Sequence, residues 1–311
     1  MDIKNIIPKD LTLNNLRVKY RVLSVSHLPE LEEKIDKLKS EGKITQNEVI
    51  QQYIGNFKFE VPEDFPEAKS IIILAQENKL VLINFNHNGI QQEVMIPPNY
   101  SQTCVTKDEM KDFVLTEIIK EPGYQVYQTR KLHMKLLAAN SGLVKYGRNN
   151  ISYADELGSL IELWVYFTDY VFPMDNWEEV EMMENCEDCT ICFDSCPTQA
   201  ISQDNFILNV ERCIPLYNEI QGEIPDWIPT DAHNALMGCM KCQMYCPANR
   251  LAINNTRRYE DLTQEETIAL LKGEGEETIL NSAIAKLKMF KPEHAYYFLP
   301  IIKRNLALLQ K

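Results

Sequence analysis

Short apolar runs rich in β-forming residues recur between residues 61 and 175, and they predict strands. Helical spacing in the same region predicts helices at 107–120 and 130–140, the second ended by Ser141-Gly142. This alternation indicates a mixed α/β domain. The predicted strands are 70–75, 80–85, 93–96, 124–127 and 158–170.

The segments on either side have helical spacing. Residues 1–60 are polar, with helices predicted at 29–40 and 46–54, and the chain from 251 onwards is also helical in pattern. The sequence therefore predicts an α+β protein in four parts. These are a helical segment 1–60, an α/β domain 61–175, a cysteine-bearing domain 176–255 and a helical tail 256–311.

Composition and charge exclude several classes of protein. No apolar run approaches the ~20 residues that cross a bilayer, and the N-terminus lacks an apolar secretory core, so we expect a cytoplasmic protein with no membrane partner. No G-x-G-x-x-G or Walker loop occurs among the 11 glycines. The 32 basic and 45 acidic residues give a net charge of −13, which repels nucleic acid unless a basic patch overrides it.

Eight of the nine cysteines lie between residues 186 and 246, and only Cys104 stands apart. The first run is C-x2-C-x2-C-x3-C-P, beginning at Cys186, which is the bacterial ferredoxin spacing. The second run, from Cys239 to Pro247, repeats the last three positions of that pattern, and Cys213 substitutes for its missing first cysteine.

In this spacing three thiolates hold one cube and the fourth crosses to the other. We therefore assign Cys186, Cys189, Cys192 and Cys246 to cluster one, and Cys196, Cys213, Cys239 and Cys242 to cluster two. A pair of zinc sites is the alternative, because tetrahedral zinc also uses C-x2-C pairs. Three features favour two 4Fe–4S clusters instead. They are the three cysteines at x2-x2 spacing, the proline after each run and the near-repetition of the runs.

A basic stretch interrupts the otherwise acidic chain. Five bases and no acid lie between Pro122 and Ala154, and the centre of this stretch combines glycines with cationic and amide side chains. Such a turn either brings the backbone close to an anionic ligand or forms a solvated basic turn between a helix and a strand. The candidate ligand-binding residues are Gly142, Lys145, Tyr146, Gly147, Arg148, Asn149 and Asn150.

The stretch 137–150, LAANSGLVKYGRNN, resembles a segment of the epoxyqueuosine reductases, and so do Arg212-Cys213-Ile214 and the motif that starts at Gly238. Tyr146-Gly147-Arg148 also resembles the corresponding turn of the reductive dehalogenases. The resemblance covers about residues 60 to 255. It implies a nitroreductase-like α/β domain that binds base-off cobalamin, next to a ferredoxin-like domain with two 4Fe–4S clusters.

The resemblance also marks a departure at the proposed proton donor. Gln128 stands where the epoxyqueuosine reductases have an aspartate, and an amide cannot deliver a proton as an acid does. The neighbouring Tyr127 is the substitute that a dehalogenase-like reaction would use, although both residues also suit ordinary strand packing. We expect cobalt to face the Tyr127–Gln128 region.

Together these features predict an iron–sulfur oxidoreductase that passes electrons through two clusters to cobalamin and reduces a small molecule. Reduced ferredoxin or flavodoxin is the expected electron donor. The first alternative is an electron-transfer subunit without a corrinoid, and the second is an epoxyqueuosine reductase acting on tRNA. The net charge of −13 and the short tail disfavour tRNA as a partner.

Overall fold

The computed structural model describes residues 11–101, 104–203 and 206–310. The first ten residues of the predicted helical segment and Lys311 of the predicted tail lie outside this range. The strands are β1 Leu11–Leu13, β2 Leu16–Ser24, β3 Ser70–Glu77, β4 Leu80–His87, β5 Ile90–Ile96, β6 Val126–Thr129, β7 Lys145–Tyr146, β8 Ser152–Tyr153, β9 Ile161–Thr168 and β10 Thr256–Arg258. The α-helices are α1 Leu28–Ser40, α2 Glu48–Gly55, α3 Lys107–Phe113, α4 Met134–Asn140, α5 Ile191–Asp194, α6 Pro215–Asn218, α7 Lys241–Met244, α8 Gln264–Lys272, α9 Glu277–Leu287 and α10 Ala295–Leu309.

The chain forms two compact units that divide it differently from the four predicted segments. Unit 1 comprises residues 1–78 and 104–187, and unit 2 comprises 79–103 and 188–311. The β4–β5 hairpin, predicted to belong to the α/β domain, therefore lies in unit 2. The acid-rich segment 176–187, predicted to belong to the cysteine-bearing domain, lies in unit 1.

Unit 1 is built on an antiparallel sheet with the strand order β1-β2-β3-β9-β6. Its central strand β3 reads SIIILAQE and is buried on both faces. Ile71 and Ile73 face a core that includes α4, whereas Ile72 and Leu74 face the opposite core with α3. Full burial of each of these side chains contributes about 1.5–3 kcal/mol, which anchors the sheet.

The N-terminal segment corrects the sequence prediction. Helices α1 and α2 match the two predicted helices, but Leu16–Ser24 forms a strand that pairs with β3 from Val18 to Ser24. The predicted helix 107–120 is also divided: α3 continues into a π-helix at Val114–Ile119, which ends at Lys120 in the left-handed conformation.

Unit 2 has its apolar core between the small sheet β10-β4-β5 and the C-terminal helices. Helix α8 begins with a capping box between Thr263 and Glu266 and ends at Gly273, whose φ is +70°. The predicted helical tail thus exists as α8, α9 and α10, and it packs against a sheet whose strand β10 the sequence did not reveal.

Candidate iron–sulfur and cofactor site

The two cysteine runs fold into similar hairpins from Cys189 and from Cys239 onwards. Each has a four-residue helix: α5 contains Cys192, and α7 contains Cys242. Thr190 before α5 has φ −112° and ψ 3°, and Met240 before α7 has φ −115° and ψ 0°. The residues after the helices, Ser195 and Tyr245, also share one conformation. The sequence repeat is therefore a structural repeat, and α5 contacts α7.

Of the cysteines assigned to cluster two, Cys196 lies near Cys239, and Cys213 and Cys239 both lie near Tyr100. The pKa of Cys239 is raised chiefly by burial, and the Cys196 thiolate raises it further. Burial also raises the pKa of Tyr100 well above its usual value, with further effects of Glu219, Cys213 and Cys239. The backbone N–H of Ala200 donates to the Cys196 sulfur over 3.3 Å. Buried thiols with backbone donors fit the ligands of an iron–sulfur cluster.

The loop that carries Cys213 is held on one side by Tyr100. Its hydroxyl donates a hydrogen bond to the Glu219 carboxylate, and burial raises the pKa of Glu219. The Tyr100 ring also closes over Gly238, where an added Cβ would lie 2.5 Å from the ring. Gly238 has φ +73°, so both its conformation and its surroundings require glycine immediately before Cys239.

In unit 1, Arg148 binds the chain around the first cluster cysteine. Its Nη2 atom donates to the Cys186 carbonyl over 2.5 Å and to the Glu187 carbonyl over 3.1 Å. We predicted that Arg148 would bind an anionic cofactor. In the structure these donors of the guanidinium hold the backbone of a cluster cysteine, and the cofactor-binding role of Arg148 stays a prediction.

Lys145 is also committed to the protein. Its ammonium lies 2.7 Å from the Glu181 carboxylate and 3.9 Å from that of Glu184, and the hydrogen bond to Glu181 is the first cause that raises the pKa of Lys145. Lys145 thus pairs with acids that lie 36 and 39 residues later in the chain. Its place in an anion site stays a prediction.

The rest of the turn forms a β-hairpin closed by its own polar groups. Tyr146 is buried and pairs with Ser152 across β7 and β8. The buried Asn149 amide donates to the Tyr153 hydroxyl over 2.9 Å. At Gly147 an added Cβ would lie 2.7 Å from Tyr153 and from the Asn149 side chain.

The left-handed residues of the turn serve the protein's own packing. Asn150 has φ +60°, and its N–H donates to the Gly147 carbonyl over 2.9 Å. Gly142 has φ +67°, and the Glu178 carboxylate lies 2.7 Å from the place of a Cβ there. The close neighbour of Gly142 in the structure is thus the Glu178 side chain.

The side chains of Tyr127 and Gln128 project from opposite faces of the sheet. In β6 they pair with Phe167 and Tyr166 of β9, and successive residues of a strand point to alternate faces. Tyr127 packs on the face of α4, and its ring lies parallel to Phe65 at 6.2 Å. The two side chains therefore lie on different sides of the sheet, and the prediction that cobalt faces this region stays a prediction.

Sequence reasoning missed the acid beside Tyr127. The pKa of Tyr127 is raised first by the charge of the exposed Asp64 carboxylate, then by burial and by a hydrogen bond to the same group. Asp64 stands in the proline-punctuated connection, 63 residues earlier in the chain, and no sequence signal joined the two. The pair brings a carboxyl group to the residue that we predicted to replace the missing aspartate.

The profile of the 4Fe-4S double cluster binding domain matches residues 185–249. Epoxyqueuosine reductase of Staphylococcus aureus is 29% identical over 192 residues, which are 60% of this chain and 49% of that protein. That of Cyclobacterium marinum is 34% identical over 152 residues, 48% of each chain. The superfamily predicted from the sequence is confirmed. The chain spans about half the length of these curated relatives.

The fold comparison agrees. The structure of epoxyqueuosine reductase from Streptococcus thermophilus superposes with a TM-score of 0.66 at 18% identity, covering 94% of this chain and 76% of that one. The predicted α+β class with a two-cluster domain is therefore confirmed. None of the described helices is long and apolar enough to span a membrane.

The prediction against tRNA is wrong. The relatives are epoxyqueuosine reductases. One similar structure of such an enzyme was solved with an epoxyqueuosine-modified tRNA stem loop. It has a TM-score of 0.60 and 21% identity, and the match covers 94% of this chain and 76% of that one. Net charge describes the whole surface, whereas RNA meets only a local part of it. The value of −13 therefore does not exclude such a substrate.

Proposed function

We propose that this chain is an iron–sulfur reductase of the epoxyqueuosine reductase type that acts on tRNA. The observation that carries the proposal is the pair of repeated cysteine hairpins within a chain that is 29% identical to an epoxyqueuosine reductase over 192 residues. A cytoplasmic location, where tRNA is found, belongs to the same proposal.

Two 4Fe–4S clusters supply the one-electron carriers. Cluster one takes Cys186, Cys189, Cys192 and Cys246, and cluster two takes Cys196, Cys213, Cys239 and Cys242. The proximity of Cys196, Cys213 and Cys239 to the same buried region supports the second set, including the crossover of Cys196. Arg148 fixes the backbone of Cys186 for the first set.

Cobalamin, which the family resemblance implies, would supply the reducing centre when bound. In the turn 142–150, expected to bind its phosphate, Lys145 and Arg148 already bind protein groups. We therefore keep cobalamin as the proposed cofactor and assign no step of the reaction to its contacts with this turn.

Tyr127 with Asp64 is the proposed proton source. Removal of an epoxide oxygen as water takes two electrons and two protons, so the site needs a group that stays protonated until it acts. A tyrosine hydroxyl is protonated at neutral pH, and the Asp64 carboxylate raises the pKa of Tyr127 further. Gln128 has no such proton to give. Because Gln128 replaces an acid, we expected a small-molecule substrate, but the comparisons support tRNA better.

Anaerobic protein should contain about eight iron atoms and eight sulfides per chain, as two cubes require. With cobalamin and a chemical reductant, it should convert epoxyqueuosine to queuosine in tRNA from a reductase-deficient strain, measured by mass spectrometry of nucleosides. Cys239→Ser should lose one cluster and the activity, whereas the matched variant Cys104→Ser should keep both. A protein that holds both clusters and cobalamin yet forms no queuosine would exclude the tRNA reaction.

A further inference from the structure

Arg304 of helix α10 binds several carbonyls of the loop that carries Cys213. Arg304 donates from Nη1 to the carbonyls of Ile220, over 3.0 Å, and Gly222, and from Nη2 to that of Tyr217 over 3.2 Å. One planar guanidinium thus fixes three carbonyls between four and nine residues after Cys213. At this end of the loop the Gln221 amide also donates to the Tyr297 carbonyl of α10 over 2.9 Å.

The next residue of the helix extends the contact to the second cysteine run. The Asn305 amide donates to the carbonyls of Asn218 and Leu236 over 2.8 and 2.9 Å, and only 1% of Asn305 is exposed. The Asn218 side chain, fully buried, accepts from the Gly238 N–H over 3.0 Å and donates to the Gly238 carbonyl over 2.6 Å. Two buried amides therefore connect the segment after Cys213 to the residue before Cys239.

These hydrogen bonds exceed what is needed to dock the helix. Leu299, Ile301, Ile302 and Leu306 of α10 are buried in the apolar core of unit 2 and already attach the helix by burial. The polar bonds of Arg304 and Asn305 described above go instead to the Cys213 loop and to Leu236. A buried polar network of this kind specifies one backbone arrangement, because each unsatisfied group would cost free energy.

We propose that Arg304 and Asn305 are positioning residues for cluster two, which set the separation of Cys213 and Cys239 before the iron enters. The proposal rests on the ligand set of the proposed function. Tyr100 and Glu219 hold the same loop from its other side, so the loop is fixed between the β5 end of the small sheet and α10.

Iron release to a chelator under anaerobic conditions tests this inference. We expect Arg304→Ala and Asn305→Leu to release four of the eight irons about tenfold faster than the wild type, because each loses two or more buried or charge-assisted hydrogen bonds. Lys303→Ala is the matched control: it lies on the same helix and donates over 2.7 Å to the Lys272 carbonyl of α8, away from the cysteines. Arg304→Lys should restore part of the retention.

The reduction potential of cluster two separates positioning from general stability. In a Cys189→Ser background, which removes cluster one, the potential should shift in Asn305→Leu and stay unchanged in Lys303→Ala, as followed by paramagnetic resonance during redox titration. Equal iron release and equal potentials in all three variants would overturn the proposal, as would equally accelerated loss of both clusters. A wild-type chain that holds only one cluster would instead overturn the ligand set itself, and the proposal with it.

If Arg304→Ala does not fold, Arg304→Lys carries the same comparison. A single ammonium cannot bind the carbonyls of Tyr217, Ile220 and Gly222 together in the geometry of the guanidinium. We then expect faster release of cluster two from Arg304→Lys than from Lys303→Ala, and equal rates would overturn the inference.

Discussion

His133, which caps helix α4, should make the fold sensitive to mild acid. Its Nδ1 accepts a hydrogen bond from the Leu136 N–H over 3.1 Å, and its ring packs against Phe57 at 4.9 Å. Burial lowers the pKa of His133 from 6.5 to about 4, with a further contribution of the Lys135 charge. A protonated ring would lose the capping acceptor, so the native state binds this proton only near pH 4.

The sign and size of the effect follow from these two pKa values. The unfolded chain takes up the proton below pH 6.5, whereas the native chain resists it down to about pH 4, so stability is present above 6.5 and is lost as the pH falls. At pH 5 the free energy of unfolding is lower by about 2 kcal/mol than at neutral pH. Below pH 4 this loss approaches about 3 kcal/mol, since each pKa unit corresponds to about 1.4 kcal/mol.

Anaerobic guanidinium unfolding of wild type and His133→Asn at several pH values measures this loss. Asparagine is a favourable cap that does not titrate, and any effect of acid on the clusters cancels in the comparison. Above pH 7 the free energies of unfolding of the two proteins should change with pH in the same way. At pH 5 the free energy of unfolding of the variant should have risen by about 2 kcal/mol relative to that of the wild type. A difference that does not change with pH, or a directly measured pKa of His133 near 6.5, would refute the reasoning.

Three further predictions concern the candidate site. Gly238→Ala should cost at least about 1–2 kcal/mol from its left-handed backbone plus the contact with the Tyr100 ring, and it should weaken cluster two; Gly42→Ala, which has φ +66° but open space around its Cβ, provides the control by iron content and unfolding. Asp64→Asn should lower the pKa of Tyr127 towards its ordinary value, measured by nuclear magnetic resonance of ¹³C-labelled tyrosine, and an unchanged value would remove Asp64 from the proposed proton source. Cys104→Ser should retain all eight irons, and a loss of four would show that the ligand set was misassigned.

Local patterns predicted the elements that depend on nearby residues. The cysteine spacing implied two matching hairpins, and the structure has them with nearly equal backbone angles. The strands at β3, β4 and β5 and the helices of the tail also follow from periodicity. Leu16–Ser24 was missed because its many polar and charged residues concealed an alternation that its pairing with β3 reveals.

Interactions between distant parts of the chain escaped the sequence reasoning. The bases of the turn looked available because their partners, Glu181 and the Cys186 carbonyl, come some 36 and 38 residues later. The anchoring of the Cys213 loop depends on Arg304, about 90 residues further on. No periodicity connects such residues, since only the folded backbone brings their donors and acceptors together.

The path of the chain between the two units has a consequence for biosynthesis. The polypeptide leaves unit 1 after Asn78, returns at Cys104 and leaves again after Glu187, so neither unit corresponds to one continuous stretch. On a ribosome the β4–β5 hairpin is made early but must wait for α8, α9 and α10 to cover it. Loading of the second cluster is therefore expected to follow the synthesis of α10, and neither unit can be expressed alone as one continuous segment.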